Sequence, residues 1–315
     1  MKNLAFLFPG QGSQAVGMGY DLHQEYDVVR EIFDMAEDLT KIHLRRLCFK
    51  GPMEALTQTV NLQPALTAVS LSCLAVLQKE GVSADVSAGH SLGEYSALAA
   101  AGAISGEDAV RLVFKRGELM HRESQRYTGA MHALIGLTID SVEELVARVR
   151  EKGTGPVSVA NHNTETQIVI SGAPAPVQEV SGYASEKGAR VIPLKVSGAW
   201  HSELIKGAQA EFEGFLAGIA FVPPRSEVLH NVTAEPASDP DEIRALMARQ
   251  LCSPVRWYDA MRRLGEEEIP VFVEVGPGRV LTGLLNKILP KDRRSRVYPV
   301  NGIKGLETFL KETHG

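Results

Sequence analysis

The stretch GHSLGEY at residues 89–95 limits the possible folds of this chain more than any other. It has the G-x-S-x-G form, in which a serine is forced onto a sharp turn between a strand and a helix. Glycines flank Ser91 because the backbone bends too tightly there for a Cβ and because neighbouring elements approach closely. Residues 82–88 read as a short strand entering the turn. Residues 92–101, alanine-rich and closed by Gly102, read as the helix leaving it. A serine held in this way lies at a helix N-terminus, where unpaired N–H groups and the dipole favour developing negative charge. An acyl-transfer nucleophile needs that environment. The motif is short enough to arise by chance, so the rest of the chain has to decide.

At 315 residues the chain can bury a large core, and its length suggests two domains. Hydrophobic residues at 44% and charged residues at 23% fit a soluble globular protein. A net charge of −5 gives no basic field to draw phosphates, so no nucleic-acid partner is expected. No apolar run is read as approaching the roughly 18 residues of a bilayer span, so no membrane association is expected. The opening residues lack a signal-peptide cleavage pattern. Cys48, Cys73 and Cys252 are scattered, without metal-ligand spacing, and suit core positions in a reducing cytoplasm.

Residues 4–8 read as a buried strand ending at the loop GQGSQ, 10–14. With Ala15 the loop also matches G-x-G-x-x-A, a dinucleotide-binding form. That form calls for a second strand ending in an acid about 20 residues on, whereas 28–39 has helical spacing with Asp34 and Glu37 inside it. Two other readings are a tight loop with no ligand and a loop that faces the serine with Gln11 or a backbone N–H. Residues 64–79 read as a buried helix. Ser105 to Asp108 form a capping box opening a helix to about His121. On that helix Arg111, Lys115, Glu118 and Arg122 make a solvated stripe. Arg116 instead has Leu112, Val113, Leu119 and Met120 at helical spacing, inside the apolar stripe. A guanidinium there is an internal ion pair, a snorkelling side chain, or a fork for a substrate carboxylate.

Between residues 129 and 196 the pattern becomes β-α-β-β-α-β: strands 131–137, 157–161, 167–171 and 190–196, with helices 141–152 and 176–187. That is the order of a ferredoxin-like unit. The expected fold is α/β, a large domain at 1–127 and 197–315 with a small ferredoxin-like domain inserted at 128–196. Beyond the insert, helices at 205–215 and 243–251 flank a strand at 227–232. Strands at 271–275 and 296–300 are each followed by a helix, the last at 306–313.

A serine hydroxyl needs a base. Of nine histidines, His201 is favoured, lying on a loop just past a strand where ligands collect in α/β folds. His162, at a strand end, is a weaker contender. His90 adjoins the serine but should point elsewhere. No acid between Ser91 and His201 stands out as a triad member; a backbone carbonyl orienting the imidazole would make a Ser–His dyad sufficient.

Five motifs then occur together and in order: GQGSQ, GHSLGEY, RGELM at 116–120, SGAWHS at 197–202 and ARQLCSPVRW at 248–257. In these, and in VEVGPG and VLTGLL near the end, the chain resembles the malonyl-CoA:acyl carrier protein transacylases of bacterial fatty-acid synthesis over essentially its whole length. The resemblance implies a hydrolase-like large domain with a mostly parallel sheet. It implies Ser91 as nucleophile, His201 as general base, Arg116 as partner of the malonyl carboxylate, Gln11 and the Leu92 N–H as oxyanion hole, and the Gln250 carbonyl as the group orienting His201. It also implies malonyl-CoA and acyl carrier protein as partners and no bound cofactor or metal, because CoA and phosphopantetheine are parts of the substrates. A monomer is expected. An acyltransferase or hydrolase serving a polyketide synthase fits the same motifs. Trp200 stands where phenylalanine is commoner, and His132 where a small residue is usual. Arg111, Lys115 and Arg122 are candidates for carrier-protein docking.

Overall fold

The structure, a computed structural model, describes residues 2–290 and 295–314. The end residues of the expected division, 1 and 315, lie outside the described residues.

Five strands, β1 (Leu4–Phe8), β2 (Val86–Gly89), β7 (Glu227–Leu229), β8 (Val271–Val275) and β9 (Arg296–Val300), form a sheet in the order β7-β2-β1-β8-β9 with every pair parallel. Parallel strands are covered by helices on both faces, which is why β1 reads as an unbroken apolar run and β8 as one broken only by the buried Glu274. Along β1 the pleat sends Phe6 and Phe8 into one core layer and Ala5 and Leu7 into the other. Four more strands, β3 (Ala130–Ile135), β4 (Val157–Thr164), β5 (Gln167–Gly172) and β6 (Arg190–Pro193), form an antiparallel sheet in the order β4-β5-β3-β6. Helices Ile139–Arg150 and Pro174–Glu186 cover one face of it around Leu134, Val142, Ile168 and Val180. Met131, Ala133 and Val169 join the larger core. β4 is laced to the chain after Gln250: the His162 N–H donates to the Val255 carbonyl at 2.9 Å, and the Val255 N–H to the Ala160 carbonyl at 2.8 Å.

Several expectations change. The helix expected from residue 64 begins at Thr59, so Pro64 lies inside it. Tertiary packing overrides the proline: at Gly117 the helix Gly106–Arg126 comes so close that a Cβ would stand 3.1 Å from the Thr59 carbonyl. This same Thr59–Lys79 helix is long and apolar enough to cross a bilayer, which corrects the reading that no such run exists. In the fold 83% of its apolar window is buried, as befits a central core helix. The helix expected to end near His121 continues to Arg126, held by Arg122 and Arg126 on the buried Glu123. β6 ends at Pro193, just before the Leu194 N–H makes a last bond to the Met131 carbonyl at 2.9 Å, and Leu194 and Val196 line the cavity described below.

β1 and β2 end in register, Phe8 opposite Gly89. The turn after β2 is pressed against the end of β1: a Cβ on Gly93 would overlap the Phe8 carbonyl, and one on Gly89 would overlap the Gly93 backbone. Gly93→Ala is therefore expected to lose about 1–3 kcal/mol or more in denaturant unfolding, as an overpacked core position. Gly182→Ala, mid-helix with open space around it, is expected to be neutral or to gain about 0.4–1 kcal/mol.

Candidate active site

Ser91 occupies the turn with φ 51°, in the left-handed region, immediately before the helix Gly93–Ala100. A non-glycine residue persists there only when its surroundings hold it. Asn231 supplies the clamp: its Oδ1 accepts from the Ser91 N–H at 2.7 Å and its Nδ2 donates to the Gly89 carbonyl at 2.6 Å.

His201 also has a positive φ, 58°, and is 3% exposed. Its Nε2 lies 2.7 Å from Ser91 Oγ, and its Nδ1 lies 3.1 Å from the Gln250 carbonyl and 3.0 Å from the Ser253 carbonyl. Carbonyls only accept, so the proton is on Nδ1 and Nε2 is free to accept from the serine hydroxyl. Burial, then the positive charge of Arg116, pushes the His201 pKa down to about 3. The imidazole is accordingly neutral, able to take a proton.

Arg116 is 2% exposed. Its Nη1 donates to Gln63 Oε1 at 2.9 Å and its Nη2 to Ser91 Oγ at 3.1 Å, and its guanidinium lies 5.8 Å from the centre of the Tyr95 ring. Nε has no partner. Neither an internal ion pair nor snorkelling accounts for it: among the described residues it has no carboxylate partner, and it does not reach solvent. A buried cation held by neutral groups leaves an unmet demand for an anion.

These groups line one cavity of about 100 Å³. Ser91, His201, Arg116, Gln63, Gln11 and Asn161 give it polar atoms, and Met120, Met131, Leu194, Val196 and Trp200 wall it. The backbone N–H groups of Gln11 and Leu92 find no acceptor among the described residues. Gln11 arrives because Gly10 packs so closely that a Cβ there would overlap the His90 carbonyl. The loop therefore serves the serine turn. The dinucleotide reading is corrected: the next helix does not begin until Tyr20, so no phosphate-binding helix opens on the glycines.

His90 donates from Nε2 to Asn163 Oδ1 at 2.8 Å and is tied up by β4. His162 faces Asp259, 3.9 Å away, and the Tyr258 ring. His132 bonds Ser181 Oγ at 2.8 Å inside the small sheet's helix layer and does not line the cavity, whereas Trp200 does. The stripe proposed for docking is neutralised locally: Arg111 pairs with Glu107, and Lys115 and Arg122 share Glu211. Sequence reading missed Asn231, Gln63, Asn161 and the Ser253 carbonyl. It also passed over Glu94, a charged residue in an apolar helix, which the criterion that picked out Arg116 would have found.

The acyl transferase domain family matches residues 5–311. The chain belongs to the acyl transferase family. A malonyl CoA-acyl carrier protein transacylase of Bacillus subtilis is 41% identical over 312 residues, covering 99% of this chain and 97% of that protein. The crystal structure of an acyl carrier protein S-malonyltransferase from Vibrio cholerae superposes with a TM-score of 0.92 at 39% identity, covering 98% of this chain and 99% of the other. A malonyl-transacylase solved in complex with its type II PKS acyl-carrier protein gives a TM-score of 0.93 at 38% identity, covering 99% and 100%.

Ring NMR should find His201 neutral, with the proton on Nδ1, from about pH 8 down to 5. Arg116→Gln removes the second cause of the depression and should raise the His201 pKa toward 6.5. Titration of the unmodified protein's His201 near its ordinary value would contradict this electrostatic account.

Proposed function

We propose that this acyltransferase moves the malonyl group from malonyl-CoA to the phosphopantetheine thiol of acyl carrier protein through a malonyl ester on Ser91. The observation that carries the reading is Arg116, a buried guanidinium without a carboxylate partner, 3.1 Å from the Ser91 hydroxyl. A malonyl group presents a carboxylate to it while its thioester carbon faces Ser91 Oγ, and the charge-assisted bonds of a guanidinium suit that end of the substrate.

His201 Nε2 takes the Ser91 proton as Oγ attacks the thioester carbonyl. The N–H groups of Gln11 and Leu92 receive the oxyanion, each such donor being worth about 2.7–4 kcal/mol of barrier. The tetrahedral intermediate collapses, the C–S bond breaks, and CoA leaves as a thiol with the proton returned by His201. The carrier's thiol then gives its proton to His201, attacks the ester and regenerates Ser91. The Gln250 and Ser253 carbonyls keep the Nδ1 proton in place throughout, holding the tautomer that the base needs. The small cavity and the bulk of Trp200 favour a short acyl chain. A polyketide carrier protein as acceptor is a second reading, supported by the solved PKS complex; relative kcat/KM for the two kinds of carrier separates them.

Intact-mass analysis after incubation with malonyl-CoA is expected to find one malonyl adduct. It should be absent in Ser91→Ala and discharged by added carrier protein; discharge to water alone would favour a hydrolase instead. Arg116→Ala should cost about 10²-fold or more in kcat/KM with malonyl-CoA, from a buried charge contact worth roughly 2–5 kcal/mol, while acetyl-CoA gains relative to malonyl-CoA. An unchanged preference between the two donors would remove Arg116 from the substrate site.

A further inference from the structure

Beneath the serine turn lies a buried carboxylate that the reaction above does not use. Glu94 is 1% exposed, the second residue of the helix Gly93–Ala100, and among the described residues it has no lysine or arginine partner. Its Oε1 accepts from His230 Nδ1 at 2.8 Å and from the Asn231 N–H at 3.3 Å. Its Oε2 accepts from Gln250 Nε2 at 2.7 Å.

Two of these contacts lead directly to the reacting pair. Gln250 Nε2 also donates to the Ser91 carbonyl at 2.9 Å, while the Gln250 main-chain carbonyl accepts from His201 Nδ1. Asn231, whose backbone Glu94 holds, clamps the turn from Gly89 to Ser91 with its side chain. One carboxylate therefore restrains Ser91 and His201, each at positive φ, through a single intermediary. We propose that Glu94 is the positioning residue of the Ser91–His201 pair, doing through Gln250 what the carboxylate of a triad does by direct contact. The proposal rests on the malonyl-transfer reading of the site.

The amide of Gln250 links the carboxylate to the serine turn. Among the described residues its Oε1 is buried without a partner, so none of them fixes from the oxygen side which way the amide faces. The orientation is set by the two acceptors on the nitrogen side, Glu94 Oε2 and the Ser91 carbonyl. An ionised carboxylate offers only acceptors and enforces that orientation, whereas a glutamine at 94 offers a donor as well and lets the Gln250 amide turn over. The Ser91 carbonyl then loses its donor, and the restraint between turn and imidazole goes slack. A buried polar side chain is retained here at a desolvation cost that an apolar residue would avoid, consistent with a demand for geometry over stability.

The test is single-turnover acylation by malonyl-CoA, read by quenched-flow mass analysis, with Glu94→Gln, Gln250→Met and the double variant. Gln250→Met removes the Nε2 donor but keeps both the main-chain carbonyl to His201 and the Glu94–His230 contact. Each single variant should lower the saturating acylation rate by about 10²-fold, the scale of a 1 Å misplacement. The half-saturating malonyl-CoA concentration should stay the same, because Arg116 and Gln63 are untouched. The double variant should be no slower than the slower single one, since both act along one chain of contacts. Additive losses, or a change in half-saturation alone, would overturn the role of Glu94. Should Glu94→Gln not fold, Gln250→Met decides alone: a slower rate with unchanged half-saturation supports the proposal, and an unchanged rate refutes it. The unmodified enzyme in the same run tests the underlying reaction. No adduct there refutes malonyl transfer, whereas equal rates in all forms refute only Glu94.

Discussion

The contact between Gly93 and the Phe8 carbonyl fixes the rest of the site. Because neither Gly89 nor Gly93 carries a Cβ, the turn after β2 closes against the end of β1, and Ser91 is thrown into a conformation that few side chains adopt. The same closeness brings the loop after β1, through Gly10, alongside the serine, so Gln11 and Leu92 bring their N–H groups to one cavity. A second close approach, Gly117 against Thr59, carries Arg116 next to Gln63. Both contacts put backbone where a side chain would ordinarily stand, and both serve to bring a polar group into an apolar interior.

That interior sets the chemistry. Burial holds His201 neutral and Arg116 deprives it further of a proton, so the base and the cation reinforce one another. In the proposed reaction, a carboxylate-bearing acyl group paired with Arg116 would offset the guanidinium's influence on His201 and make the imidazole more basic as the substrate arrives. Substrate binding and base strength would then be coupled through one charge, without any movement of the backbone being required.

The sequence disclosed the parts whose causes are local. The serine turn was legible because its flanking glycines form a local motif, Gly89 answering a steric demand from Gly93 within five residues, and Arg116 because helical periodicity surrounds it with apolar neighbours. The β-α-β-β-α-β order of the small sheet was legible for the same reason, although its strand ends shifted where Pro193 and the hairpin intervened. What stayed hidden depends on distant partners. Asn231 meets Ser91 across 140 positions, and main-chain carbonyls carry no side-chain signature, so that of Gln250 was named by resemblance alone and that of Ser253 not at all. The helix over Pro64 and the bilayer-like length of Thr59–Lys79 were misread because burial by neighbouring helices, which decides both, has no local trace.

The use of carbonyls in place of an acid beside His201 follows from the presence of Arg116. A carboxylate at Nδ1 would put a full negative charge within the same small, dry cavity as the guanidinium. It would raise the His201 pKa, and its attraction for Arg116 would compete with that of the incoming acyl carboxylate. Main-chain carbonyls fix the tautomer and the ring plane with partial charges only. A carboxyl group stands a layer below, at Glu94, where His230, Asn231 and Gln250 occupy its oxygens. In the proposed reaction, two tasks that a triad acid performs together are thus separated: orientation at the imidazole is done by neutral groups, and the carboxylate stands one layer below, where it braces the turn.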